Sequence, residues 1–310
     1  MKPVLLSKEE NVFNDNIAFV QHWDFSKGNI DEQSRIDHIT TVASICYDNP
    51  NVVGKETLYN RLKAEAMGLP SSSFEFIPVL INLDILNQID KAYKKSIGFE
   101  TPHVRKYGQI ICDTKTDEKY LLSNYRAVLF DFDLLTEKKS DIEIDITQIY
   151  NTEYECNIIK ENSNTFLYKM DISTSKQHNR HRVSLQELSR RYVSGKKTKF
   201  EFYHSNNLKN IESAIRYENE FDDESFDITY DTKYLTNLMI NHYFKAINSG
   251  VKPQEARRIL PQSMYTTIWS TFLPFQLDNY LNLRDDHHAQ DEIRWIAQAM
   301  KRCLNITYDS

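Results

Sequence analysis

A chain of 310 residues that is 40% apolar and 26% charged can bury the core of one large domain or two modest ones. Its net charge of −6 argues against binding of duplex nucleic acid mainly through overall charge. The 7 glycines form no phosphate-cradling loop, no apolar run reaches membrane-span length, and the 4 scattered cysteines make no C-x-x-C pair, which argues against a Rossmann dinucleotide site, a spanning helix, a disulfide framework and a zinc site.

Cys46, Cys112, Cys156 and Cys303 read as reduced thiols of a cytoplasmic protein, and the start of the chain is too short and too soon acidic for a signal peptide. Residues 1–34 lack sustained periodicity and read as an N-terminal extension packed against a body of residues 35–310. Ile36, Ile39, Val42, Ala43 and Cys46 recur at helical spacing. A turn at Asp48–Asn51 leads to a second helix, Lys55–Met67, capped by Gly68. A Ser-rich loop through Ser72 then enters an apolar strand at Ile77–Leu83.

Across residues 84–163 the pattern predicts a hairpin, Tyr107–Cys112 with Tyr120–Leu122, then a helix over Asn124–Phe132 and a half-exposed strand over Ile142–Ile149. Thr165–Met170 reads as a strand and Asp171–Asn179 as a short helix. Next comes Gln177-His-Asn-Arg180-His181-Arg182-Val-Ser184-Leu-Gln-Glu187-Leu-Ser189-Arg-Arg191-Tyr192. Three cationic side chains precede Ser184 and Glu187, which stand at capping-box spacing, so a helix start that holds an anion is expected here. An aromatic strand over Lys196–Tyr203, an acidic surface loop over Glu218–Asp231 and a long helix over Thr232–Ser249 with Gly250 as its cap follow. Pro253 opens a helix carrying Arg257 and ending at Pro261. Finally, Asn279-Tyr-Leu-Asn-Leu-Arg284 precedes His288-Ala-Gln-Asp-Glu-Ile-Arg294, with Arg284 expected to begin a helix that buries Ile293, Ile296, Ala297 and Met300. His287 and His288, adjacent on that helix, would point apart and share no metal ion.

The segment from Gln177 to Tyr192 resembles the Arg-His-Arg…Ser signature of the flavin-dependent thymidylate synthases, with Gln186 where many members carry Asn. Ala256-Arg257 before Leu260-Pro261, and the Asn279–Arg294 block, resemble the family's later motifs in the same order. Gly68 to Phe76 resembles its first flavin-contacting element, with Leu69 and Phe76 in place of the two His; Gly98–Pro102 is a second, less strand-like match. One position departs from the pattern: an Asn-x-Arg that contacts the flavin is replaced by Leu273-Pro274-Phe275.

The resemblance implies an α+β fold, a small antiparallel sheet with several long helices, in which residues 84–163 are an insertion. It implies FAD as cofactor, NADPH and methylenetetrahydrofolate as co-substrates, dUMP as substrate and a homotetramer with shared sites. Gln177, Arg180, Glu187, Ser189, Arg191, Arg257 and Arg284 would bind dUMP, with Arg284 as the catalytic cation; Arg180, His181, Arg182, Glu187, Asn279 and Ser72 would hold FAD. Two alternatives stay open: a divergent member acting on another pyrimidine nucleotide, and a non-catalytic descendant that binds nucleotide or nucleic acid.

Overall fold

The structure, a computed structural model, describes residues 5–13, 16–24, 29–64, 70–138, 145–191, 193–196, 199–208, 211–218 and 225–306. The fold is α+β, with three separate antiparallel sheets among the described residues. The main one runs β1 (Leu5–Leu6), β3 (Phe19–Asp24), β7 (Asn164–Asp171), β11 (Tyr265–Phe272), β8 (Ser184–Glu187), with β2 (Glu10–Asn11) also pairing β3. Residues 19–24, in the stretch expected to pack against the body, thus supply an inner strand of its main sheet.

Strand periodicity divides this sheet between two cores. Phe166, Tyr168 and Met170 of β7, with Ile268 and Phe272 of β11, face α10 (Pro274–Arg284) and α11 (Asp291–Cys303). Leu167 and Trp269, on the opposite face, join a larger core with α1 (Glu32–Tyr47) and α2 (Glu56–Lys63). That core also takes in a second sheet, ordered β4 (Pro78–Asn82), β6 (Lys119–Asn124), β5 (Gln109–Cys112), and the helices α3 (Leu83–Ser96), α4 (His103–Lys106), α5 (Tyr125–Glu137) and α6 (Glu153–Asn162). Inside it the Arg35 guanidinium is clamped between the rings of Tyr125 at 4.3 Å and Tyr150 at 3.9 Å, a cation–π sandwich that partly compensates its burial.

α1 begins where the Asp31 side chain accepts from Ser34 N and ends at Asp48 in a left-handed conformation. The expected hairpin is present as β5 and β6, and the expected helix after it as α5. Several expectations are corrected. Ser184–Glu187 is not a helix start but the edge strand β8, paired to β11; Val183 and Leu185 alternate into the core, and that period of two outweighs the capping-box letters. Glu218–Asp231 is not a loop throughout, because Glu218 ends β9 (Glu212–Glu218) and Ser225–Asp231 forms its partner β10. Ile146–Ile149 is a 3-10 turn rather than a strand, with 142–144 outside the described residues. Of the strand expected over 196–203, the described residues 199–203 show a bridge of Phe202 to Met264, with 197 and 198 outside the described residues. Arg284 ends α10 rather than beginning a helix, and α11 is a separate element.

The helix after β7, α7 (Ile172–His178), and the long helix α8 (Thr232–Asn248) agree with expectation, as does Pro253 opening the one-turn α9 (Pro253–Ala256). Arg257 then lies on a 3-10 turn rather than in a continuing helix. α2 stops at Lys63; its expected cap Gly68, together with Leu69, lies outside the described residues, as does Tyr192.

Candidate active site at the Arg284 junction

α7 is anchored at its start by Asp171, whose carboxylate accepts from Ser173 N at 3.0 Å, Thr174 N at 3.3 Å and the Thr174 hydroxyl. Six residues later the helix delivers Gln177 and His178 to the turn that carries Arg180, His181 and Arg182. α10 approaches from the other side. Tyr280 and Arg284 stand one helical turn apart on it and share a face.

The two segments interlock. Arg284 Nε donates to His181 Nε2 at 2.7 Å, and Arg284 Nη2 donates to the Gln177 carbonyl at 3.0 Å. Beneath them the Tyr280 hydroxyl is 2.9 Å from His178 Nδ1, and the Tyr280 ring lies 4.5 Å from that of His181. The Gln177 side chain donates to Gln290, the residue before α11, at 2.5 Å. Of the five N–H groups of a guanidinium, these two bonds use two; among the described residues both Nη1 hydrogens and one Nη2 hydrogen of Arg284 make no further side-chain hydrogen bond.

The electrostatics follow from this packing. Burial, then the neighbouring His181 and Arg284, pull His178 down to about 3; burial and Arg284 pull His181 down to about 4. Both imidazoles are therefore neutral at pH 7, and Arg284 carries the positive charge of the junction. Burial raises the Tyr280 phenol, which stays protonated.

The remaining expected residues occupy several places. Arg180 and Arg182 are exposed on the turn. Burial raises the Glu187 carboxyl, with Thr266, Asn179 and Ser175 as hydrogen-bond partners acting the other way, so this side chain ties β8 to β11 and α7. Ser72 donates to Gln186 at 3.2 Å, and Gln186 donates to Cys46 Sγ at 2.7 Å, which brings the Ser-rich loop onto β8. Ser189 N donates to the Cys46 carbonyl at 3.3 Å, and its hydroxyl accepts from Arg191 N at 3.4 Å. Arg191 and Asn279 are exposed. Arg257 Nε donates to Gln254 O in its own turn at 3.3 Å, and the hydrogen bonds around Arg284 do not extend to it among the described residues.

Sequence reasoning missed His178 and Tyr280. The signal for Tyr280 was its i, i+4 relation to Arg284; His178 carried none beyond its place beside Gln177. The expected placement of the histidines after Arg284 on a helix, pointing apart, is corrected: His287 and His288 lie in the loop between α10 and α11, their ring centroids 3.8 Å apart. With Asp286 they bring ligand atoms within 4.8 Å of one another, all three side chains exposed.

Beside the turn lies a cavity of about 680 Å³, walled by Arg182, Val183 and Ser184 on one side and by residues of 75–130 on the other. Leu273 and Phe275, at the position where the sequence departs from the Asn-x-Arg pattern, also line it. A flavin dinucleotide carries two phosphates and flat rings. Two exposed arginines on a turn next to a cavity with aromatic walls form a donor set that fits such a group. Among the described residues no helix is long and apolar enough to cross a membrane.

A family model described as thymidylate synthase complementing protein matches residues 136–307. A flavin-dependent thymidylate synthase of Thermosipho melanesiensis is 35% identical over 157 residues, covering 47% of this chain and 66% of that protein. Flavin-dependent thymidylate synthases of Thermotoga neapolitana (33% identity, 44% of this chain, 59% of that protein) and Aquifex aeolicus (31%, 45%, 44%) are also similar. The chain thus spans less than two thirds of the length of these relatives. A crystal structure of the UMP/dUMP methylase PolB from Streptomyces cacaoi bound with 5-Br dUMP shares 24% identity over 46% of this chain and 65% of that one, at a TM-score of 0.34. With more than half of its residues matched by the family model and the two signature segments meeting at Arg284, the chain belongs to the thymidylate synthase complementing protein family.

Proposed function

We propose that the protein is a flavin-dependent thymidylate synthase that methylates dUMP to dTMP, with methylenetetrahydrofolate as one-carbon donor and NADPH as reductant. The observation that carries this reading is the junction itself: Arg284 is hydrogen-bonded to His181 and Gln177, residues more than 100 positions away in the chain, and among the described residues it keeps N–H groups to spare. C5 of a uracil ring is a weak nucleophile, and it attacks a one-carbon electrophile only when charge developing at N3 and O2 is stabilised. Arg284 supplies a fixed, directional cation for that charge, one already oriented before substrate arrives.

Gln177 borders the same guanidinium and reads the base or sugar, while Ser189, Arg191 and Arg257 serve the 5′-phosphate. Arg257 and Arg191 are exposed, which suits delivery to a site shared between subunits of a homotetramer. Support for assembly comes from α8, where Tyr234, Leu235, Leu238 and Met239 are 36–48% exposed on one face. FAD, when bound, would relay the one-carbon unit and the reducing electrons to the pyrimidine. Arg180 and Arg182 would hold its phosphates, with His181, Asn279, Glu187 and Ser72 as the further positions that the family resemblance assigns to it. His181 also fixes Arg284 by accepting its Nε hydrogen, and the neutral imidazole adds no competing charge.

The test is the visible absorption spectrum of the protein with FAD, followed by titration with dUMP. The expected result is a bound-flavin spectrum that dUMP perturbs saturably, from a particle larger than a monomer by sedimentation. A protein that takes up dUMP but no flavin would overturn this reading in favour of a nucleotide-binding descendant, and a preference for UMP or dCMP in the same titration would redirect it to another pyrimidine substrate.

A further inference from the structure

The cavity beside Arg182 has a wall that the family motifs do not supply. His103, Tyr107, Arg126 and Phe130 all precede residue 136, where the family match begins. They form a stacked column: the Arg126 guanidinium lies 5.3 Å from the Phe130 ring, the His103 ring is 5.2 Å from Phe130 at 19°, and the Tyr107 ring is 6.4 Å from His103 at 20°. The column is held rigidly. His103 Nδ1 is 2.9 Å from the carboxylate of Asp131, which is fully buried and also accepts from His103 N, Val104 N and the Tyr93 hydroxyl. Gly108 lets this segment close on the sheet, since a Cβ there would meet Val104 O at 2.5 Å and Leu122 O at 2.9 Å.

Two aromatic side chains on the cavity walls stay open to solvent: Tyr107 is 59% and Phe275 is 53% exposed. They come from different layers, which Gln109 links by accepting from Phe275 N at 3.3 Å. The charge is one-sided. Among the described lining residues, Lys106, Arg126 and Arg182 face one carboxylate, Glu75, which is paired to Arg126. Open aromatic faces, a rigid flat wall and surplus cations in a volume of about 680 Å³ are what a planar heterocycle carrying phosphate requires.

We propose that this cavity binds a purine-sized ring bearing a diphosphate, stacked on Tyr107 and Phe275, with Lys106 and Arg182 at its phosphates. Where the family pattern uses an Arg at position 275 to contact the flavin, this chain uses ring stacking built largely by residues 103–130. The ligand is either the adenylate end of the flavin dinucleotide, which rests on the function proposed above, or a separate adenine nucleotide, which does not.

Calorimetric titration of the full chain with ADP, FAD and FMN tests this, using Tyr107→Ala, Phe275→Ala and Lys106→Gln. All three replace exposed side chains, and melting temperatures verify folding. ADP is expected to bind, and each aromatic truncation should weaken it about tenfold. If the adenylate end of FAD is the occupant, FAD displaces ADP, and the variants weaken FAD but not FMN. If the occupant is separate, ADP binds unchanged at saturating FAD. ADP binding that is absent, or that is indifferent to all three substitutions in folded protein, overturns the proposal even if FMN and dUMP bind normally. Failure of FMN and dUMP to bind while ADP remains sensitive to the variants would sink the synthase reading and leave this site standing.

Discussion

At the scale of single residues, Arg284 has two duties. It keeps N–H groups that are uncommitted among the described residues, and it locks the turn through His181 and Gln177. A lysine at this position keeps the charge, yet an ammonium on a flexible stem cannot span the imidazole, the carbonyl and a ligand in one plane. Arg284→Lys is therefore expected to lower kcat/KM for dUMP about 100-fold or more, in the range seen when a preorganised donor is removed. His181 loses its partner in the same variant, so FAD affinity should also fall. Steady-state turnover and flavin titration on one preparation check both, and an Arg284→Lys enzyme with full turnover would remove the guanidinium from the chemistry.

At the scale of elements, α7 is a short lever between a buried cap and the site. Asp171 satisfies the first N–H groups of α7, and its far end carries Gln177 and His178. Asp171→Ala should cost about 1–2 kcal/mol in urea unfolding and weaken dUMP binding although it touches no ligand. Asp171→Asn, which keeps an acceptor, should recover most of both, and equal losses in the two variants would show that the cap does not position the turn. This element was legible in sequence because Asp, then Ser and Thr, then a basic end is local chemistry. β8 was not: Ser184 and Glu187 have capping-box spacing, and only the pairing of this segment with β11, more than 80 residues away, decides for a strand. β11 itself went unread although Tyr-Thr-Thr-Ile-Trp-Ser-Thr-Phe is rich in β-branched and aromatic residues. Arg284, His181 and Gln177 could be named from motif letters, but the pairing of Tyr280 with His178 and the cavity wall at 103–130 arise from long-range packing that local patterns do not encode.

At the scale of the whole molecule, the burial that shapes the site couples its histidines to global stability. His178 is fully buried against Tyr280, with its imidazole held down to about 3 where an exposed histidine titrates near 6.5. Its folded-state value is depressed, so between these limits the unfolded chain binds a proton that the native protein refuses. Native stability is then complete above about pH 6.5 and falls as the pH drops toward 3, with a slope of up to about 1.4 kcal/mol per pH unit from this one group. His181 adds in the same direction with less weight, since it is only partly buried. Tyr168 and Phe272 flank the His178 ring at 4.8 and 6.2 Å, and burial among these rings, with Arg284 nearby, disfavours a charged imidazole. His178→Gln retains a polar group for the Tyr280 hydroxyl but cannot titrate. Urea midpoints measured from pH 7 to pH 4 should fall more steeply for the native sequence than for this variant, the two curves converging as the acid limb is approached. Parallel curves across that range would mean that His178 takes up its proton in the folded state and that the junction beneath Arg284 is open to water.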